Sequence, residues 1–367
     1  MTQYLDPVAL WEDLHQIPEL AMQEVKTAAY VAKTLQDLGI ETQTQLGGTT
    51  GVMGIIRGSE PGPVVMLRAD MDALPFTIDG KPCAIHACGH DSHTAMLLAV
   101  ASRMKDQVKK GTLKLLFQPA EEAISGALAM IDAGVLEDVD YALSSHIRPI
   151  QDVEAGKVCP GVMHSASHTM FVEIEGRSAH AARPHLGVNT IDVACAIIQN
   201  VQAQWFNPAD VWSAKCTQLH ADAGASNSIP GKARLTFDCR AGTNPLMADF
   251  NERFARIVKN TAEAFGAKAE IIEGGNCPAA EYDEDFKEMV REAIVNVCGA
   301  DAVAKDCGGG GEDFHFFKMA KPSIKAAYFG VGVGATPGLH NADMHFDPKY
   351  LINGVNITVD VAKRLVG

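Results

Sequence analysis

The chain has 367 residues, 47% hydrophobic and 21% charged, which is the make-up of a globular protein too long for one ordinary core, so two domains are expected. Its 31 Lys and Arg against 45 Asp and Glu leave a formal charge of −14, which excludes an electrostatic footprint for nucleic acid and makes an anionic membrane surface a poor partner. No apolar run reaches the ~18 residues of a spanning helix, and MTQYLDPVALWEDLHQIPEL carries neither a basic n-region nor an apolar h-region, so a cytoplasmic location is expected.

In chain order, Asp6-Pro7 is an N-cap followed by a first-turn proline and opens a helix. A second helix runs from about Glu24 to Leu38 and stops at Gly39. Short apolar runs then alternate with helical patterns. GVMGIIRG and PVVMLRAD read as strands, 93–105 as a helix, TLKLLFQ as a strand, Ser125–Ala133 as a helix and VDYALSSH as a strand. That alternation predicts a mostly parallel sheet covered on both faces.

Near residue 166 the style changes. HTMFVEIEG alternates with period two, as a half-exposed antiparallel strand does. A helix follows at about 189–201, then strands near 211–220 and at 233–241, a helix over 246–265 and the strand AKAEIIEG. This β-α-β-β-α-β order predicts a split-βαβ, ferredoxin-like module. Afterwards DEDFKEMVREAIVNVCG reads as a helix and AAYFGVGVG as a strand. The expected organisation is an α/β domain of residues 1–165 plus 280–367, interrupted by an α+β domain of residues 166–279.

The stretch HACGHDSHTAM (86–96) packs three histidines, a cysteine and an aspartate into eight positions. The other chemically able residues fall at strand ends. Asp70 follows PVVMLR, Glu121 and Glu122 follow LKLLF, and His146 closes YALSS. In an open parallel sheet the carboxyl ends of the strands form the ligand crevice, so separate segments deliver donors to one edge. His340, in a loop after a late strand, joins them. Cys88 is the one of the nine cysteines with such neighbours; most of the others read as small buried hydrophobes of a reducing compartment. His86 and His93 are expected to support the site or cap the helix. Three readings of the cluster stand side by side: a metal site, a Cys88 thiol hydrolase, or a non-catalytic binding protein.

LRADMDALP (67–75), HACGHDSHTAM (86–96), FQPAEE (117–122), SSHI (144–147), GRSAHAARPH (176–185), NSIP (227–230), GGEDF (310–314) and GLHNADMHF (338–346) occur in that order. Together they closely resemble the M20 peptidase superfamily in its amidohydrolase branch, which includes aminoacylase, hippurate hydrolase and the plant auxin-conjugate hydrolases. The resemblance implies a catalytic α/β domain with an inserted lid or dimerisation domain. It implies Cys88, His90, Glu122, His146 and His340 as ligands of two divalent ions per subunit, and Glu121 as general base. It also implies Asp70 as a carboxylate supporting the metal site and His180 as a lid donor to the oxyanion, supplied in several members by a homodimer partner. A thiolate, imidazole and carboxylate set suits Zn, Mn, Co or Ni better than Mg or Ca.

The branch implies an N-acyl amino acid substrate cleaved at its amide bond, with a dipeptide as the nearest alternative. Asn227 and Arg240 are candidates to hold such a substrate. In CGGGGEDF the glycines, Gly310 among them, let backbone approach a ligand closely. Three departures from the branch pattern bear on substrate choice: a short loop between Pro75 and His86, Ser178 before the lid histidine, and His168 at the first lid strand.

Overall fold

The computed structural model describes residues 4–367. It divides into two compact units, one of residues up to Met163 plus Glu281–Gly367, the other of His164–Ala280.

Among the described residues of the first unit, seven strands form one sheet: β1 (Glu41–Thr44), β2 (Val52–Arg57), β3 (Glu60–Asp70), β4 (Lys110–Gln118), β5 (Tyr141–Pro149), β6 (Val158–Cys159) and β7 (Lys325–Ala335). Their order is β1-β2-β4-β3-β5-β7-β6. The expectation of a mostly parallel sheet needs correction. Only the central β4-β3-β5-β7 run is parallel, whereas β1–β2, β2–β4 and β7–β6 pair antiparallel. For β2 and β4, apolar runs buried on both faces read alike in either direction, so patterning could not distinguish them.

Both faces of the sheet are covered. Val65, Leu67 and Ala69 join one core with helices His90–Met104, Glu284–Cys298 and Leu351–Val366, while Met66, Leu116 and Ala142 join another with residues 127–139 and Phe314–Phe317. This is the period-two alternation of a strand buried twice.

Two further differences touch the site. The central helix begins at His90, three residues before the expected start, with Gly89 as a left-handed N-cap at φ 86°. The segment expected as a short loop before His86 is a β-hairpin, Leu74–Ile78 with Lys81–Ile85. Its two-residue turn is Asp79-Gly80, both at positive φ, the strongest short-range hairpin signal a sequence carries. The strand Glu41–Thr44 and the closing helix Leu351–Val366 were also not foreseen.

In the second unit, strands Trp212–His220, Lys232–Ala241, Ala166–Glu175 and Lys268–Cys277 form an antiparallel sheet in that order. Helices Thr190–Gln202 and Asn244–Ala264 supply the rest of its core. Residues 166, 170, 172 and 174 of the first strand are buried and pair with 241, 237, 235 and 233. Chain order and strand order together make the split-βαβ topology.

Candidate metal centre

The central helix begins with its polar turn fully buried. Ser92 Oγ donates to Gly89 O at 2.5 Å, Asp91 Oδ2 holds His15 Nδ1 at 2.6 Å, and Thr94 Oγ1 donates to Asp70 O at 2.7 Å. These bonds fix the turn between Cys88 and His90 against the end of β3. An alanine at Gly89 would be strained at φ 86°, and its Cβ would lie 2.3 Å from Ile147 Cδ1. We expect Gly89→Ala to lose about 1–2 kcal/mol from the left-handed backbone alone. It should also lower metal content, because donors flank it on both sides; thermal unfolding and elemental analysis read the two effects.

Five expected ligands converge from four segments. Cys88, His90 and His146 place a donor atom each within 4.8 Å of one another, and so do Cys88, Glu122 and His340. Cys88 belongs to both groups, so the pair has the form of two adjoining sites sharing one thiol. Sγ lies 3.4 Å from His146 Nε2, and Glu122 Oε1 lies 3.4 Å from His340 Nε2 and 3.8 Å from His90 Nε2. His340, at φ 64°, is pinned by its backbone N–H to Ala87 O at 2.8 Å, which ties the late loop to the cysteine loop.

Each imidazole is oriented through its other nitrogen. His90 Nδ1 donates to Asp72 Oδ1 at 3.0 Å and His146 Nδ1 to Ile147 O at 2.6 Å, the second bonds that set ligand tautomers. The Nε2 of His90 and Oε1 of Glu122 are buried and make no hydrogen bond. Buried polar atoms are almost always partnered, so an orphaned nitrogen and oxygen facing a thiol fit a cation in that space. Burial, then the neighbouring His93, hold His146 well below the usual imidazole range, leaving Nε2 with its lone pair. Burial pushes the Cys88 thiol up; coordination to a metal would deprotonate it outright.

Glu121 sits beside this set, with Oε2 3.9 Å from His90 Nε2. Burial, then Glu312 and Asp313, raise its carboxyl well above the usual range. Asp70 does not orient a ligand directly. Its Oδ1 accepts from His93 Nδ1 at 2.6 Å, and His93 Nε2 accepts from Ile147 N at 3.0 Å. Both nitrogens of His93 are thus occupied, which makes it a brace between β3 and β5.

Sequence reasoning missed Asp72. It orients His90 with one oxygen and accepts the Glu122 N–H at 3.0 Å with the other. The available signal was its place two residues after Asp70, on the same face of an extended chain. It also missed Arg68, which is buried and donates to Asp70 at 2.6 Å, Asp313 at 2.8 Å and Gln118 at 3.0 Å, with Glu312 Oε1 also at 3.0 Å. His86 supports no ligand through a hydrogen bond, since both its buried ring nitrogens lack a partner.

The remaining candidates belong to none of these donor groups. Gly310, at φ 75°, has open space where a Cβ would be. His180, Asn227 and Arg240 belong to the second unit. There His180 pairs with Ser228, and Asn227 O accepts from Ala181 N at 2.8 Å, so the GRSAHAARPH and NSIP segments are neighbours. Arg240 Nε is held by Asp238 at 2.8 Å on the exposed sheet face.

A doubly grouped donor set gathered towards the carboxyl ends of parallel strands, buried except at Glu122 and the exposed His340, defines a metal-binding α/β protein. Residues 66–364 match the family model "Peptidase family M20/M25/M40", and the chain belongs to that family. It is 36% identical over 295 residues to an N-acyl-L-amino acid amidohydrolase of Geobacillus stearothermophilus, covering 76% of this chain and 79% of that one. It is 33% identical over 375 residues to an N-acetyl-L-cysteine deacetylase of Bacillus subtilis, covering 98% and 88%. Among solved structures it resembles a dinuclear metal-binding peptidase of family M20 from Bacillus subtilis, with TM-score 0.83, 27% identity and coverage of 98% and 97%. No helix among the described residues is long and apolar enough to cross a membrane.

Proposed function

We propose that the protein is a metal-dependent amidohydrolase that cleaves the amide bond of N-acyl amino acids. The observation that carries this is the thiol shared between two donor groups, beside a buried carboxyl that belongs to neither. Cys88, His90 and His146 would hold one divalent ion, and Cys88, Glu122 and His340 the other. Zn, Mn, Co or Ni fits a set that mixes sulfur, imidazole and carboxylate. When bound, two such ions polarise the scissile carbonyl and lower the pKa of a water beside them.

The chain's own residues do the rest. Glu121 takes the proton from the attacking water and returns it to the leaving nitrogen, which departs poorly as an anion. Asp72 and the carbonyl of Ile147 keep His90 and His146 in the tautomers that face the ions. His180 is the donor proposed for the carbonyl oxygen as it gains charge, and a homodimer through the inserted unit is part of the proposal. Asn227, Gly310 and Arg240 are proposed to hold the substrate, and Asp70 to brace the centre through His93. The whole is read as a cytoplasmic enzyme with residues 164–280 as its lid.

A dipeptidase would use the same chemistry, so the substrate panel decides. The metal-loaded protein should hydrolyse N-acetyl and N-benzoyl amino acids faster than the matching dipeptides; the reverse ranking would replace the acylamino acid reading with the exopeptidase one. Chelation should abolish turnover and added divalent metal restore it, whereas a Cys88 thiol hydrolase would survive chelation. Cys88→Ser should reduce the metal held per chain, because a hydroxyl replaces the only sulfur donor of both groups; unchanged metal content by elemental analysis would remove Cys88 from the ligand set.

A further inference from the structure

Outside the metal centre, two thiols of the first unit meet. Cys159 ends β6 and is fully buried, whereas Cys307 is partly exposed. Their sulfurs are 3.3 Å apart, although the residues are separated by 148 positions. The backbone holds the contact from both sides. Cys159 pairs with Gly330 of β7. Cys307 N donates to Gly161 O at 3.2 Å, Ala304 N donates to Val158 O at 2.8 Å, and residues 307–308 pair in parallel with 162–163. The two sulfurs therefore sit on adjacent backbone runs, and neither needs a long excursion to reach the other.

The pair is chemically asymmetric. The Arg148 guanidinium is buried, pairs with Asp152, donates to Gly308 O at 3.4 Å, and leaves its Nε without a partner. Its charge acts on the Cys307 sulfur. The hydrogen bond from Cys159 and then the Arg148 charge hold Cys307 below the usual thiol range, against burial and Asp152. The same bond, then burial, push the Cys159 thiol up. One sulfur thus sits partly open under the influence of a cation, and the other lies buried within contact behind it. A low-pKa, accessible cysteine next to a resolving cysteine is the arrangement that reacts reversibly with peroxide.

We propose that Cys159 and Cys307 form a reversible thiol-oxidation site that hydrogen peroxide closes into a disulfide, tethering β6 to the segment that leads into the glycine run. The Cys307 thiolate attacks one peroxide oxygen; the O–O bond breaks, an S–OH bond forms, and hydroxide leaves and is protonated. The Cys159 sulfur then attacks the sulfenic sulfur; the S–O bond breaks, and water leaves with the Cys159 proton. In sum, two thiols and one peroxide give one disulfide and two waters, and the two electrons lost by sulfur reduce the peroxide.

The tether has a consequence for the catalytic unit. Glu312 follows Cys307 by five positions, accepts from Tyr328 Oη at 2.5 Å and pairs with Arg68. Glu312 and Asp313 also face Glu121. Closing the bond therefore acts on the segment that carries two of the carboxyls surrounding the proposed base.

The test treats the metal-loaded, full-length protein with graded hydrogen peroxide and maps cysteine peptides by mass spectrometry without reductant. We expect a Cys159–Cys307 linked peptide, two hydrogens lighter and reversed by dithiothreitol, to form several-fold faster than oxidation of the exposed Cys83 and Cys195. In Cys159→Ser, dimedone should trap a sulfenic acid on Cys307. The linked peptide should accompany a change in kcat/KM that dithiothreitol reverses and that Cys159→Ser lacks. If Cys83 and Cys195 oxidise while Cys159 and Cys307 stay reduced, or if Cys159→Ser traps no sulfenic acid at Cys307, the proposal falls.

Discussion

Replacing Glu121 by glutamine is expected to lower kcat by about 10²–10⁴-fold, the usual contribution of a positioned general base. The amide keeps the shape of the carboxyl but cannot take a proton. Glu121 belongs to neither donor group that contains Cys88, although it also groups with His90 and Glu122; acting as the base rather than a ligand, it should leave the variant with as much metal as the parent. The variant should also fold as well or better. In the metal-free chain burial, then Glu312 and Asp313, raise the Glu121 carboxyl well above the range of a free carboxylate, and an amide suits that environment because it carries no charge to desolvate. The combination is diagnostic: turnover collapses, metal content by elemental analysis is unchanged, and KM moves little. Near-parental kcat would remove Glu121 from its role. Loss of metal together with activity would make it a ligand instead. Glu122→Gln is the counterpart, since it alters a donor whose Oε1 has no hydrogen bond, and it should lose metal and activity together.

Which parts of this site the sequence disclosed follows from where each residue's partner lies. Cys88, His90, Glu122, His146 and His340 were legible because strand ends and a helix start advertise themselves through local patterning, and the carboxyl ends of parallel strands share an edge. Asp72 was not singled out, although it sits in the same DMD segment as Asp70. Its role depends on His90 lying 18 positions away and on the backbone of Glu122 lying 50 away. Arg68 was less visible still, because its contact with Asp313 spans 245 positions. Within a strand read from its apolar run, an arginine looks like a residue on a solvated face. The hairpin before His86 was a different kind of omission, since Asp79-Gly80 is a local signal. The antiparallel edges of the sheet had no local signal, because β2 and β4 are both buried apolar runs whichever way they point.

The second large effect is expected at Arg68, and in stability more than in chemistry. Its guanidinium is 1% exposed and is shared among Asp70, Glu312 and Asp313, with Gln118 completing the fork. Burial, moderated by Arg68, already raises the Asp313 carboxyl to about 7, so the acidic cluster is only partly neutralised even with the cation present. Arg68→Met keeps most of the volume and removes the charge. Breaking a buried pair by deleting one partner typically costs about 3–5 kcal/mol, and here three carboxyls lose the same partner. Urea unfolding of metal-loaded protein should show at least that loss, and the metal should be held less tightly, because Asp70 braces His93 and His93 holds the backbone beside His146. Arg68→Lys separates charge from geometry. One ammonium cannot reproduce the planar fork that reaches β3, Gln118 and the 312–313 segment at once. It should therefore recover part of the stability while kcat stays depressed. Parental stability in Arg68→Met would mean that the acidic cluster holds its own protons and that the arginine is dispensable to the centre's frame.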